Sequence, residues 1–408
     1  MAHLRLRFRA FHWFIASVLL IGTAAAVSLP APLRQSERPS TGLSAAPTRA
    51  ASLPAASARA GQSDTAAGPA SVADLALYAD WTTFTTADGL PANKVFCIRA
   101  DRDRVWAGTE NGLAYYEKGV WHSYGVADGL PHQAVLSLDL DPRTGDLWVG
   151  TMGGLARLSG GRFEVFTQLN SGLSNDFVHA VACDPATGDV WAATAMGACR
   201  YSPRTRGWAV FTEQNTPMHE PWTYSVSVDR GRVYVGAWGG GILELDQQTG
   251  TWREYRDPDK EMDIDLLPDD GPIHDVTAGV AYRAGVLWQA TYFGLSRYDG
   301  RHWQTYTKAD SGLASDFINF VRAEGAVAWL CTDDGLSATD GARWVTYRRT
   351  DRGRTVVTTG PPANREQTLS GAGLAHNFIL GVDWRSDELW VATARGVSRG
   401  RVAEQTPK

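Results

Sequence analysis

The feature that most constrains this chain is a four-residue phrase that returns seven times. Each copy opens with an aromatic residue, two mostly small or apolar residues follow, and a threonine usually ends it. The copies begin at Trp106, Trp148, Trp191, Tyr234, Trp288, Trp329 and Trp390. A repeat of this kind predicts an array of similar structural units.

Each phrase lies inside a longer unit of short strands and turns. Trp106 and Trp148 are 42 residues apart, and Trp148 and Trp191 are 43 apart, close to the roughly 40–45 residues of a four-stranded propeller blade. Asp-Gly, Asn-Gly and Gly-Gly turns divide the strands, as in antiparallel meanders. Because a lone sheet cannot bury both faces, the units must stack and close around an axis. We predict an all-β fold, a single seven-bladed β-propeller of four-stranded antiparallel blades over residues 73–402.

The two ends of the array predict how the ring closes. Trp81–Phe84 matches the strand that ends every later unit, whereas the last unit stops after Gly396–Arg399 without that strand. We expect the segment near Asp80–Thr86 to be the outer strand of the seventh blade and to hold the ring closed. Two insertions break the period and predict extra loops at 256–270 and 348–370.

The sequence before the repeats has a different composition. Residues 1–26 carry three arginines and then an apolar stretch that ends in small residues, which predicts a secretory signal peptide or, if uncleaved, an inner-membrane anchor. Residues 27–72 are rich in Ala, Pro and Ser, which predicts a disordered linker, and residues 403–408 are a tail. We therefore expect a periplasmic or secreted protein that meets the membrane only through its N-terminus.

Charge and cysteine content further limit the classes of protein to which this chain can belong. The formal net charge is −5, so a basic face for nucleic acid is not expected. The four cysteines form no C-x-x-C pair and are Cys97, Cys183, Cys199 and Cys331. Small buried thiols account for them better than a disulfide does, and Cys183 with Cys199 is the one pair worth testing.

The unit around the second phrase carries a family resemblance. It contains Asp128-Gly-Leu-Pro131, Val135, a turn from Asp141 to Gly145, Leu147-Trp-Val-Gly-Thr151 and Gly154-Leu155. This pattern closely resembles the two-component-regulator propeller repeat of periplasmic sensor regions, and the match covers roughly residues 80–400. The resemblance implies a seven-bladed propeller in an exported ligand-sensing or protein-interaction role. No kinase sequence follows the repeats, so we expect the chain not to signal directly by itself.

Side chains that depart from the repeat predict a binding face. In a propeller, the loop entering the first strand of a blade and the loop between its second and third strands open on the same face. Apolar and charged residues gathered on one such face usually mark binding. The candidates are Met152, Met196, Trp222, Trp238, Tyr292, Phe293, Asp333, Asp334 and Arg395. The alternative to a binding face is that these side chains pack against the long insertions.

A second, polar set precedes the innermost strands. It comprises Asn93, Gln133, Asp176, Asp275, Asp316 and Asn377, with His132, His219, His274 and His376 nearby. These side chains predict an acidic and amide-rich funnel at the axial mouth, where Asp176, Asp316 and Asn377 are binding candidates. Converging carboxylates there would suit Ca²⁺. The alternative is that each side chain caps the turn of its own strand.

Propeller enzymes match the sequence less well. A turn at Asp141–Trp148 is similar to the quinoprotein docking motif, but its spacing to the tryptophan is short. A sialidase-like turn occurs once, at Ser227–Gly231. A metal-assisted lyase or hydrolase of the streptogramin-lyase type would need an axial histidine base, for which His274 and His376 are candidates. The sequence favours a non-enzymatic binding module with no cofactor, whose partner is a protein or peptide loop, a membrane sensor or a glycan fragment.

Overall fold

The computed structural model describes residues 75–258, 271–360, 366–368 and 373–403. All of them belong to one compact unit, Ser63–Lys408. The predicted signal peptide or anchor, the predicted linker, residues 259–270 of the first insertion and residues 404–408 lie outside the described residues.

The described strands form seven antiparallel sheets, or blades. Strand β1 (Tyr78–Phe84) belongs to the seventh. Blade I contains β2 (Val95–Ala100), β3 (Val105–Thr109), β4 (Gly112–Glu117) and β5 (Val120–Tyr124). Blade II contains β6 (Val135–Leu140), β7 (Leu147–Thr151), β8 (Gly154–Ser159) and β9 (Arg162–Phe166). Blade III contains β10 (Val178–Cys183), β11 (Val190–Thr194), β12 (Gly197–Ser202) and β13 (Gly207–Phe211).

The remaining blades follow the same order. Blade IV contains β14 (Thr223–Asp229), β15 (Arg232–Ala237), β16 (Gly241–Asp246) and β17 (Thr251–Tyr255). Blade V contains β18 (Thr277–Arg283), β19 (Val286–Thr291), β20 (Leu295–Tyr298) and β21 (Trp303–Tyr306). Blade VI contains β22 (Ile318–Glu324), β23 (Val327–Thr332), β24 (Gly335–Thr339), β25 (Trp344–Arg349), β26 (Thr355–Thr359) and β27 (Glu366–Thr368). Blade VII contains β28 (Ile379–Arg385), β29 (Glu388–Thr393), β30 (Gly396–Val402) and β1.

The blades form a ring around the seven first strands. Each first strand contacts the first strand of the next blade, and β28 contacts both β22 and β2. Strand β1 pairs antiparallel with β30, so that Tyr78 lies opposite Val402 and Phe84 opposite Val397. The predicted seven-bladed propeller is confirmed. That β1 is needed to hold the ring closed stays a prediction.

The repeated phrase forms the second strand of each blade, which lies buried between neighbouring sheets. Five of its tryptophans are at most 1% exposed. Trp390 of blade VII, for example, contacts Tyr116 and Trp121 of blade I at ring-centroid distances of 5.2 and 6.3 Å. Fully burying a large apolar side chain stabilises a fold by about 1.5–3 kcal/mol. The tryptophans are therefore structural, as the repeat indicates.

Charged side chains also link the first strands of four blades. Asp383 of blade VII pairs with Arg322 of blade VI at 2.9 Å and with Arg99 of blade I at 3.0 Å. Arg99 also pairs with Asp139 of blade II at 2.9 Å. Asp383 is 2% exposed, so loss of one partner would leave a buried charge uncompensated. The network joins the blade that contains β1 to both of its neighbours.

The second insertion differs from the expectation of a loop. Residues 355–359 and 366–368 form β26 and β27, which extend blade VI to six strands. Thr355–Thr359 is rich in β-branched residues, and a turn with Gly353 at φ 79° returns it to the free edge of β25. Such residues favour pairing with an available edge. Blade VI therefore contains the four predicted strands, and the insertion adds two more at its outer edge.

The four cysteines have free thiols, and three of them, Cys183, Cys199 and Cys331, are buried. Burial raises the pKa of all four thiols. The expectation of unpaired small side chains is met, and Cys183 and Cys199 form no disulfide.

A pair of truncations tests the role of β1. A chain beginning at residue 87 lacks β1, whose Tyr78 and Trp81 are 0% and 4% exposed. Because two large buried side chains are lost with the strand, we expect the melting temperature to fall by at least about 10 °C relative to a chain beginning at residue 75. Differential scanning calorimetry measures the difference, and equal melting temperatures would show that β1 does not hold the ring closed.

Candidate functional site

The loops predicted to share one face of the propeller do so. The loop between the second and third strands of a blade donates backbone hydrogen bonds to the loop that enters a first strand. Examples are Ala195 N–H to the Phe177 carbonyl at 3.2 Å and Trp238 N–H to the Trp222 carbonyl at 2.9 Å. We refer to this side of the molecule as the entry face.

The threonine of the phrase closes the loop between the second and third strands. In blade I, Thr109 Oγ1 donates to the Gly112 carbonyl at 2.9 Å and accepts from Asn111 N–H at 3.1 Å. Blade IV has Ala237 at the corresponding position and carries one more residue before the third strand begins at Gly241. This exception places Trp238 in a longer, glycine-rich turn that lacks the threonine clamp.

Aromatic rings from blades III to VI form one continuous row on the entry face, which we name the aromatic arc. It comprises Phe177, His179, Trp222, Tyr224, Trp238, Tyr292 and Phe317. His179 lies 4.5 Å from both Phe177 and Tyr224 by ring centroids. The row continues from Tyr224 to Trp238 at 5.3 Å, from Trp238 to Tyr292 at 5.6 Å and from Tyr292 to Phe317 at 3.9 Å.

A β-bulge explains how His179 and Tyr224 reach the arc. Every first strand has a register shift after its first residue, and His179 and Tyr224 occupy that position in blades III and IV. A bulge leaves one residue unpaired and re-aims its side chain. The innermost strands therefore contribute to the face that the loops build.

His179 is a neutral hydrogen-bond acceptor in the arc. Its Nε2 accepts from the Trp222 indole Nε1–H at 3.1 Å, so the ring proton must lie on Nδ1. Burial lowers the pKa of His179 to about 3. Burial likewise raises the pKa of Tyr224 to about 12. At neutral pH both side chains are uncharged.

The predicted binding residues separate into those in the arc and those outside it. Trp222, Trp238 and Tyr292 are in the arc, whereas Phe293 stacks on His274 at 4.0 Å. Met196 is 49% exposed and Met152 is half-buried. Asp333 and Arg395 are exposed, and Asp334 pairs with Arg348 and Lys308. A binding role for each residue remains a prediction.

Four arc members were not among the sequence candidates: Phe177, His179, Tyr224 and Phe317. Phe177 and Phe317 precede a first strand, where other units have Lys94 and Ala134. His179 and Tyr224 occupy the bulge, where another unit has Ala278. Alignment of the units at the start of the first strand would have shown this departure. Without the bulge, however, alternation along a strand would place His179 and Tyr224 between blades.

The polar set makes turn contacts at the entries to the blades. Asp176 accepts from Gln168 N–H at 2.7 Å, Asp316 from Lys308 N–H and Asn377 from Arg349 N–H, both at 2.6 Å. Asn93 and Asp275 accept from backbone N–H groups in the same way. Each carboxylate or amide thus ties the end of one blade to the start of the next, which is the turn-capping alternative. Ligand binding by Asp176, Asp316 and Asn377 stays a prediction.

Three histidines near the mouth also contact their own turns. The Nδ1 atoms of His132, His274 and His376 accept from the backbone N–H two residues later, at 2.9–3.0 Å. Burial lowers the pKa of His132, and burial with Arg395 and Arg349 lowers that of His376. Among the described residues, no three His, Cys, Asp or Glu side chains lie close enough to hold a metal ion.

The neutrality of His179 is testable by pH titration. Because its pKa is lowered from 6.5 to about 3, its contribution to folding is complete above pH 6.5 and declines as pH falls towards 3. We expect its imidazole ¹⁵N NMR shifts to stay constant from pH 8 down to about pH 4.5. A midpoint near 6.5 would contradict the assigned hydrogen bond.

Comparisons with known proteins identify similar folds. No family model and no curated protein matches the sequence. The extracellular domain of a putative hybrid two-component system from B. thetaiotaomicron is 16% identical with a TM-score of 0.58, over 80% of this chain and 42% of that one. A second such domain from B. thetaiotaomicron is 18% identical with a TM-score of 0.50, over 78% of this chain and 46% of that one.

A lyase has a similar fold as well. Virginiamycin B lyase from Staphylococcus aureus is 11% identical with a TM-score of 0.55, over 79% of this chain and 99% of that one. This chain spans less than half the length of the sensor domains. Among the described residues, no helix has the length and apolarity to cross a membrane. The similarity to sensor-domain propellers is thus confirmed at the level of the fold.

Proposed function

We propose that this chain is an exported binding module that captures an exposed segment of a protein, or a small ligand, on its aromatic arc. The observation that carries the proposal is the continuity of the arc across four blades. Its rings are not needed to bury the sheets, because the tryptophans of the phrase already lie between the blades. Trp222 remains 41% exposed although it is large and apolar, and exposed aromatic clusters usually mark binding surfaces.

The arc suits binding for physical reasons. Aromatic side chains provide large contact areas and lose little conformational entropy when a ligand covers them. The Trp222–His179 hydrogen bond and the stacking of Tyr292 on Phe317 hold the rings in place before binding, which lowers the entropy cost further. The fold shared with extracellular sensor domains supports the same role.

A metal-assisted lyase or hydrolase is the second candidate, supported by the fold shared with virginiamycin B lyase over nearly all of that enzyme. Its predicted base would be His274 or His376. Each uses Nδ1 to accept a hydrogen bond from its own turn, and the ring of His274 is stacked on Phe293. Because these contacts give both histidines a structural role, the binding module is the better supported function.

A paired set of variants tests the binding module. Trp238→Ala with Tyr292→Ala removes two adjacent rings of the arc, whose centroids are 5.6 Å apart. Because these rings provide the contact area, we expect immobilised variant protein to lose at least about tenfold in affinity for partners from a periplasmic extract. Quantitative mass spectrometry of the captured proteins measures the loss.

The matched control removes exposed apolar groups from the same face but outside the arc. Val126 is 57% exposed and Leu169 is 97% exposed. The double variant Val126→Ala with Leu169→Ala should capture the same partners as the unmodified protein. If the arc variant retains capture while circular dichroism shows an unchanged fold, the binding site lies elsewhere.

A further inference from the structure

We propose that the group recognised by the aromatic arc is an organic cation without N–H groups, a quaternary ammonium. This inference deepens the proposed function and rests on it. It specifies the chemistry of the ligand at Trp222, Tyr224 and Tyr292, whereas the proposed function requires only that the arc binds.

The rings present their faces in several directions. Trp222 and Tyr224 are inclined by 21°, Tyr224 and Trp238 by 36°, and Trp238 and Tyr292 by 65°. These inclinations show that the row is not a flat stack of parallel rings. Cations bind aromatic faces within about 6 Å of the ring centroid because the ring quadrupole is negative there. Neighbouring rings of this row, such as Trp222 and Tyr224 with centroids 6.1 Å apart, can contact one rounded trimethylammonium group together.

No lysine or arginine of the described residues lies over the faces of Trp222, Tyr224 and Tyr292. Elsewhere in the described structure, arginines lie over aromatic rings, as Arg200 does over Trp191 and Arg297 over Trp288. The neighbouring imidazole of His179 is neutral because its pKa is lowered to about 3. The faces of Trp222, Tyr224 and Tyr292 therefore hold no cation of the described residues that a ligand would have to displace.

The surrounding charge is negative. In the described loops that enter blades III, IV and V, the acidic residues are Asp176, Glu213, Glu220, Asp257 and Asp275. Arg256 is the only lysine or arginine in those described loops, and it pairs with Asp275 at 2.7 Å and with Glu254 at 3.4 Å. Lys308, in the loop that enters blade VI, pairs with Asp334. This excess of carboxylates attracts cations to the face.

The ring faces favour a quaternary cation over a primary one, because they attract positive charge and offer no strong hydrogen-bond acceptor. His179 Nε2 accepts from the Trp222 indole. A primary ammonium has three donors that need acceptors when it leaves water, whereas a quaternary ammonium has none. The arc therefore provides ring faces and a negative field, which are what a quaternary cation needs.

The test compares probes of the same shape and different charge. Choline is the quaternary cation, 3,3-dimethylbutan-1-ol is its neutral isostere, and ethanolamine is the primary ammonium. Isothermal titration calorimetry and tryptophan fluorescence on the exported protein measure the affinities. We expect choline to bind at least about tenfold more tightly than either of the other probes.

Two substitutions locate the site. Tyr292→Phe keeps the ring and should retain choline binding, whereas Tyr292→Leu removes the ring and should weaken it at least about tenfold. Near-ultraviolet circular dichroism and thermal melting confirm that both variants are folded. Equal choline affinity in the two variants would place the cation elsewhere and overturn the proposal.

The outcomes separate this inference from the proposed function. If the neutral isostere binds as tightly as choline and the Tyr292→Leu variant loses both, the arc binds but the cation proposal is wrong. If the unmodified protein binds none of the three probes, the cation proposal is also wrong. In that case, capture by the Trp238 and Tyr292 variant still decides whether the arc binds a partner.

Discussion

The structure depends on the need of every sheet to bury two apolar faces. No blade can satisfy that need alone, so each stacks on two neighbours, and the ring is the arrangement in which all seven do so. The tryptophans of the second strands fill the spaces between sheets, as Trp390 does between blades VII and I. The chain Arg322–Asp383–Arg99–Asp139 adds charged contacts between first strands. Because apolar burial acts between every pair of blades, it contributes more to stability than these four side chains.

Once the ring supplies stability, single loops are free to depart from the repeat. In six blades a threonine clamps the turn after the second strand, but blade IV has Ala237 instead and a longer turn that carries Trp238. In blades III and IV the bulge position of the first strand holds His179 and Tyr224. These departures occur in adjacent blades and meet on one face. Packing between blades does not require these residues to lie together on one face, which supports the proposed binding function.

Much of the fold follows directly from the sequence, because the period and the buried phrase leave few ways to bury seven sheets. Trp222, Trp238 and Tyr292 are recognisable as candidates since they lie in loops where the repeat needs no aromatic residue. His179 and Tyr224 could not be placed from alternation alone, because a bulge reverses the side that a residue faces. Strands β26 and β27 were also missed, since an insertion shows its length but not the sheet edge that it meets. The polar residues before the first strands have turn contacts that only coordinates reveal.

In the proposed function, the partner contacts one continuous surface formed by four blades. Hydroxyl-radical footprinting of the protein with and without a captured partner tests it at the level of single side chains. We expect Trp222, Trp238 and Tyr292 to become protected together, while half-buried Tyr115 of blade I keeps its reactivity. Protection of Tyr115 with unchanged oxidation of all three arc residues would show that the partner binds elsewhere.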